Sequence, residues 1–168
     1  LEQHIDWLDN AEYKELPDEE IVELLERVDD RRIFVVAEAI RRGISFEKIH
    51  NITKIDLWFI DKIAILVEME NKLRTNTLTK ELLSEAKRLE FPDNVIAMLN
   101  GMTTNGVKEL RKSFGLTASF KMVDTCAAEF EASTPYYYSC YGSENEVKSD
   151  SDRKKIMVLG SGPIRIGQ

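Results

Sequence analysis

The chain has 168 residues, 43% of them hydrophobic and 32% charged, with a formal net charge of −7. That balance suits a soluble globular chain and excludes a disordered polymer, a collagen and a disulfide scaffold. No apolar run approaches the roughly 18 residues of a membrane-spanning helix.

The charge is uneven. Residues 1–30 carry 12 acidic and 2 basic side chains, leaving 18 acidic and 21 basic ones for the rest. A general nucleic-acid binder is expected to carry a basic field, because phosphate neutralisation supplies most of its affinity, and the chain as a whole does not. The acidic start reads as a solvated helix face with a lead-in over residues 1–16.

Residues 17–116 read as helices with short connections. Asp18 is expected to cap the first, with Glu19 and Glu20 at the positive end of its dipole and Ile21, Leu24, Leu25 and Val28 at helical spacing. A second helix is predicted over residues 31–42, with Ile33, Val36, Ala37 and Ile40 as its stripe and Gly43 as its stop. Ser45 is placed to cap a short helix through Ile49. Asp56 is placed to cap a long one, with Phe59, Ile63, Leu66 and Leu73 on one side and Ile60, Val67 and Glu70 beside them. Thr79 then starts residues 80–89, with Leu82, Leu83, Ala86 and Leu89 inward. Asp93 starts a turn or two through Leu99, and Val107, Leu110 and Phe114 mark a last helix ending at Gly115.

After Gly115 the pattern changes. Residues 119–124 alternate weakly, and residues 134–139 are aromatic and extended, which fits a strand or arm laid on another surface. Residues 142–153 have the composition of a linker. Residues 156–159 are a buried-strand signal that runs into a glycine loop, as at the start of a Rossmann-like domain. The absence of a first Met and the glycine loop at the other end make the chain read as an excised piece.

Three motifs carry possible chemistry. The loop over residues 160–167 has glycines that would let backbone N–H groups approach a phosphate, but it lacks the third glycine of GxGxxG and the Lys-Ser/Thr of a P-loop, so a structural turn is expected. Residues 95–112 look like a helix–turn–helix, with Ala97 allowing close packing, Gly101 in the turn and Val107 locking the second helix. Lys108, Arg111 and Lys112 would then face phosphates, although the acidic bulk charge favours a packing unit. A weaker echo occurs at residues 49–53 leading into Asp56, as if both were copies of one unit. Finally, Cys126 and Cys140 form no CxxC pair, and with only His4 and His50 as imidazoles they fall short of the about four ligands of a zinc site. They are expected as reduced thiols in a cytoplasmic protein, and His50 as a cap or surface residue. No Ser, His and Asp arrangement or carboxylate pair suggests catalysis, so no catalytic, cofactor-binding or metal residue is assigned.

Longer segments are more specific. The run Phe120-Lys121-Met122-Val123-Asp124-Thr125-Cys126-Ala127-Ala128-Glu129-Phe130 resembles a signature of the large subunit of carbamoyl-phosphate synthase. Thr134-Pro135-Tyr136-Tyr137-Tyr138-Ser139-Cys140-Tyr141 is similar to the same subunit, as are Lys54-Ile55-Asp56-Leu57-Trp58-Phe59 and Lys87-Arg88-Leu89-Glu90-Phe91. Residues 155–168 look like the opening strand and loop of its second ATP-grasp half.

The resemblance implies a mainly α fold of six or seven helices, with an extended arm and one strand of a truncated α/β domain. It implies a lead-in at 1–16, a helical connector or oligomerisation domain at 17–116, an arm and linker at 117–153, and the start of the second ATP-grasp half at 154–168. It further implies a parent ligase that makes carbamoyl phosphate from bicarbonate, glutamine-derived ammonia and two ATP, for arginine and pyrimidine biosynthesis. The parent would use ATP with Mg or Mn, a glutaminase small subunit and the flanking ATP-grasp halves. The connector itself is expected to be inactive, to bind no cofactor, nucleic acid or membrane, and to form a homo-oligomer. A nucleic-acid-binding helix–turn–helix and a free-standing helical adaptor are the alternatives.

Overall fold

The computed structural model describes residues 7–127, 129, 136–148 and 154–156. Helices dominate: α1 (Ala11–Lys14), α2 (Asp18–Glu26), α3 (Arg32–Arg41), α4 (Phe46–Thr53), α5 (Leu57–Thr75), α6 (Lys80–Arg88), α7 (Asp93–Asn100) and α8 (Thr104–Ser113). Strands β1 (Ser119–Met122) and β2 (Tyr137–Cys140) pair antiparallel, with Ser119 opposite Cys140 and Met122 opposite Tyr137. The mainly α class expected from sequence holds. The expected strand over residues 156–159, apart from Ile156, and the glycine loop after it lie outside the described residues.

Two hydrophobic cores share one long helix. The first gathers Met69 and Leu73 of α5 with Leu83, Phe91, Val95, Ile96 and Val107. The second gathers Tyr13, Ile21, Leu25, Val35, Val36, Ile49 and Ile60. The 19 residues of α5 span about 28 Å at 1.5 Å per residue, enough to serve one core with each end. Its buried residues Ile60 and Val67 are seven apart and share a side, whereas Met69 and Leu73 lie far round the helix from Ile60, so the two ends of α5 bury different sides in the two cores.

Most caps fall where the side chains demand. Ser45 accepts a hydrogen bond from the Lys48 N–H at 3.3 Å, Asp56 from Trp58 at 2.8 Å and Thr79 from Leu82 at 3.3 Å. Asp18 differs: it is the first residue of α2, and extended Pro17 (φ −66°, ψ 159°) occupies the cap. The Pro17 carbonyl accepts from Glu20 and Ile21, which sets the start of the helix. The α3 stripe is also displaced. Val35, Val36, Ala37, Glu38 and Ala39 are all buried while Ile33 is exposed, because α3 lies between α2 and α5 rather than against one face.

The echo between two helix–turn–helix segments is structural and longer than the motif. Gly43 and Glu90 are 47 positions apart and both have positive φ (76° and 63°). The same spacing separates Lys54 (φ 60°) from Gly101 (φ 69°), and caps Ser45 and Asp56 from caps Pro92 and Thr103. Fully buried Ile49 and Ile60 correspond likewise to Ile96 and Val107. The turn bonds repeat too: Ile44 N–H to Ala39 carbonyl at 3.0 Å, and Phe91 N–H to Ala86 carbonyl at 3.1 Å. Thus α3–α4 with the start of α5, and α6–α7–α8, are two copies of one helix–turn–helix–turn–helix unit.

In each copy one of the two left-handed positions is glycine and the other a charged residue. The Cβ of Lys54 or Glu90 makes that conformation unfavourable, whereas glycine adopts it freely. Lys54→Gly should therefore stabilise the fold by about 0.5–1 kcal/mol, the strain relief exceeding the extra entropy of the unfolded chain. A thermal melt that shifts downward would contradict this.

Candidate functional site

The segment ahead of Pro17, read in sequence as a lead-in, is stitched to the helices. The Trp7 ring lies 4.0 Å centroid to centroid from Phe91, and its indole N–H donates to Glu70 Oε1 at 2.7 Å. Glu70 is only 1% exposed. Its carboxylate also receives a two-pronged contact from Arg41, Nε to Oε2 at 2.8 Å and Nη2 to Oε1 at 2.9 Å. Arg41 reaches Glu38 at 3.1 Å, and Arg42 takes the other Glu38 oxygen at 2.9 Å. Arg42 then donates to the carbonyls of Tyr13 and Leu16 and to Asp18 at 2.8 Å. A single relay of charge-assisted bonds thus ties residues 7–18 to α3 and α5.

Burial works against the Arg41 charge, but the hydrogen bond and charge of Glu70, with Glu38 and Asp9 added, outweigh it and raise the guanidinium above its ordinary value. Arg42 is raised by its hydrogen bonds to Glu38 and Asp18. For Asp9 burial alone would raise the carboxyl. The Lys14 hydrogen bond and the charges of Lys14, Arg41 and Arg74 prevail and hold it below the usual carboxylate value. Lys14 Nζ is 2.8 Å from it and Arg74 3.2 Å.

A carboxyl depressed in the folded state adds stability above its unfolded pKa of about 3.9, and that contribution is lost as pH falls through the folded value. Acidification below about pH 4 should therefore weaken the fold, and Asp9→Asn should flatten that part of a melting-temperature profile taken from about pH 2 to 5.

A second polar centre joins the arm to the helices. Asp93 accepts from Lys87 at 3.0 Å and Arg111 at 3.2 Å. Lys87 also donates to the Phe91 carbonyl at 2.7 Å, and Arg111 to that of Leu116 at 3.2 Å. The Tyr141 ring faces both cations, 4.8 Å from Lys87 Nζ and 5.9 Å from the Arg111 guanidinium. Arg111, placed by sequence among three candidate phosphate contacts, is engaged inside the molecule. Exposed Lys112 is paired with Glu109 at 2.9 Å, and Lys108 is also exposed.

His50 closes the turn before α5 through Nδ1, 2.7 Å from the Ile55 carbonyl, which requires the tautomer with a proton on Nδ1. Cys126 and Cys140 are free thiols. Among the described residues no group of three or more His, Cys, Asp or Glu could hold a metal ion, and no helix is long and apolar enough to cross a membrane. A cleft of about 610 Å³ between α1 and α2 is rimmed by Glu12, Glu20, Glu23 and Asp29, interleaved with Arg27 and Arg31.

What the buried charges do is tie elements together. The start of α5 instead turns apolar rings outward: Trp58 and Phe59 are 59% and 57% exposed, and their rings meet edge to face at 4.9 Å. Sequence spacing set Phe59 on one side of α5 with Ile60 beside it, and Ile60 takes the core position. The family model described as carbamoyl-phosphate synthetase large chain, oligomerisation domain, matches residues 1–115. The chain belongs to this oligomerisation-domain family.

Curated relatives agree. The carbamoyl phosphate synthase large chain of Agathobacter rectalis is 62% identical over 168 residues, covering all of this chain and 16% of that protein. That of Lachnoclostridium phytofermentans is 63% identical over 169 residues, again covering all of the chain and 16% of the relative. That of Methanosarcina acetivorans is 50% identical over 155 residues, covering 92% of the chain and 14% of the relative. The chain thus spans about one-sixth of the length of the first two relatives. The family match begins at residue 1, in keeping with the burial of Tyr13 and the stacking of Trp7.

Proposed function

We propose that this chain is the non-catalytic connector of a large subunit that makes carbamoyl phosphate from bicarbonate, glutamine-derived ammonia and two ATP. The domain holds two ATP-grasp halves in register and supplies a surface for homo-oligomer formation. Residues 17–116 are its helical body, 1–16 lead in, 117–153 form the arm and linker, and 154–168 begin the second half. ATP with Mg or Mn, and the glutaminase small subunit, engage other parts of the parent. The parent works in the cytoplasm, in arginine and pyrimidine biosynthesis. None of the residues here is assigned to catalysis, cofactor binding or metal binding.

The observation that carries this reading is the match of the oligomerisation-domain family to residues 1–115, with large chains as relatives over the whole chain. The paired charges of Asp9, Glu38, Glu70 and Asp93 are consistent with a rigid spacer.

The test has two arms. The isolated chain, given ATP, magnesium, bicarbonate and ammonia, should make no carbamoyl phosphate. In the full-length Agathobacter rectalis relative, replacing the segment equivalent to residues 17–116 by a flexible linker of matching span should abolish coupled synthesis. Turnover by the isolated chain would overturn the inactive reading, and undiminished synthesis by the linker variant would overturn the positioning role.

A further inference from the structure

The internal repeat offers a control for reading the surface. Two copies of one unit share a backbone, so a residue that differs sharply between them at an exposed site is not demanded by the fold. Trp58 corresponds to Asn105, Asp61 to Lys108, Lys62 to Glu109 and Ile65 to Lys112, each 47 positions apart. In α8 this stripe is polar throughout. In α5 it has an apolar residue at each end and an opposite pair of charges between, and all four side chains are exposed.

The spacing of the α5 stripe is i, i+3, i+4 and i+7, a single face of a helix. Its order, apolar–acidic–basic–apolar, is self-complementary when read against its own reverse. A two-fold axis passing between Asp61 and Lys62 would set Trp58 of one copy over Ile65 of the other, and Asp61 of each copy against Lys62 of its mate. In a single copy Lys62 meets its neighbour Asp61 at 3.0 Å and lies 5.3 Å from the centre of the Trp58 ring, with both charged side chains about half exposed.

We propose that two copies of this chain associate through the outward face of α5, antiparallel about a two-fold axis between Asp61 and Lys62. The inference rests on the oligomerisation reading and assigns it a surface. A two-fold contact uses the same patch on both partners, which is what the palindromic stripe supplies. The apolar ends provide the desolvated anchors, Trp58 foremost, and the central charges fix the register. Oppositely charged pairs across the axis also exclude the parallel arrangement, which would set Asp61 against Asp61 and Lys62 against Lys62.

Sedimentation velocity of the 168-residue chain over a wide micromolar range tests this. The wild-type chain should dimerise as its concentration rises. Trp58→Ala and Lys62→Glu should each raise the dissociation constant about tenfold or more. The double exchange Asp61→Lys with Lys62→Asp should restore it to within a few-fold of wild type, because opposite charges then face each other across the axis again with their signs swapped. Glu109→Lys, at the corresponding site of α8, should change nothing. Circular dichroism melts of these surface variants report whether each remains folded.

Three results would overturn the proposal. If the wild type self-associates but Trp58→Ala and Lys62→Glu leave it unchanged, the α5 face is the wrong one while the oligomerisation reading stands. If Lys62→Glu weakens association but the double exchange fails to restore it, the two-fold register is wrong. If the wild type sediments as a monomer throughout, both the proposal and self-association of this chain fall, and the α5 face belongs to another part of the longer polypeptide.

Discussion

Replacing Arg41 by Ala should cost this fold about 3–5 kcal/mol, the range for removing one partner of a buried ion pair. The cost arises less from the bond lost than from the charge left behind. Glu70 is essentially sealed from water, and among the described residues only the Trp7 indole would still donate to it. Glu38 would keep Arg42 at 2.9 Å, so the damage concentrates at α5. Arg41→Lys should recover only part of the loss, because an ammonium cannot reproduce the two-pronged contact to Glu70. Exchanging both partners for apolar residues, Arg41→Met with Glu70→Leu, should be markedly less damaging than Arg41→Ala alone. Urea titrations of the three variants check this. A single-variant loss under about 1 kcal/mol would show that water reaches Glu70 and that the pair behaves as a surface one.

The relay explains which parts of the molecule sequence could reach. Caps are local, and Ser45, Asp56 and Thr79 were legible because each bonds a backbone N–H two or three positions on. Pro17 was not, since its cap role follows from an extended backbone and a carbonyl that accepts from Glu20 and Ile21, which Asp18 beside it disguised. Periodicity identified α5 and set Phe59 and Ile60 side by side in its apolar pattern. The packing of α3 and α4 against α5 decides that Ile60 is the buried one. The long bonds of the relay join residues 24 to 63 positions apart; helical spacing set Glu70 beside Ile60 and Val67, but no short-range pattern named Arg41 or Trp7 as its partners. The resemblance to the large-subunit family needed no fold at all, because it lay in runs such as residues 120–130. The repeat lay between these cases. Its motif showed as an echo of two helix–turn–helix segments, but its full length appeared only once Lys54 and Glu90 were seen in the left-handed region normally left to glycine.

Phe91→Ala should be comparably severe, costing about 3–5 kcal/mol, the usual range for emptying a fully buried aromatic site. Among the described residues Phe91 is the largest side chain with no exposure. It sits just after the left-handed turn at Glu90, where its N–H bond to the Ala86 carbonyl pins it in place. The core around it cannot collapse easily, because Ala86 and Ile96 are held by α6 and α7. Its counterpart in the first repeat, Ile44, is smaller and only partly buried. Trp7, from outside the second repeat, packs on Phe91 with the two rings tilted at 42°. Trp7→Ala should therefore lose part of the same energy, and the pair should be coupled by about 0.5–1.5 kcal/mol in a double-mutant cycle, as for other aromatic pairs. Additive losses would mean that Trp7 is held by Glu70 alone. Coupling would mean that residues 7–16 are part of the folded unit, docked through the ring into the first core and through the indole N–H into the ion relay.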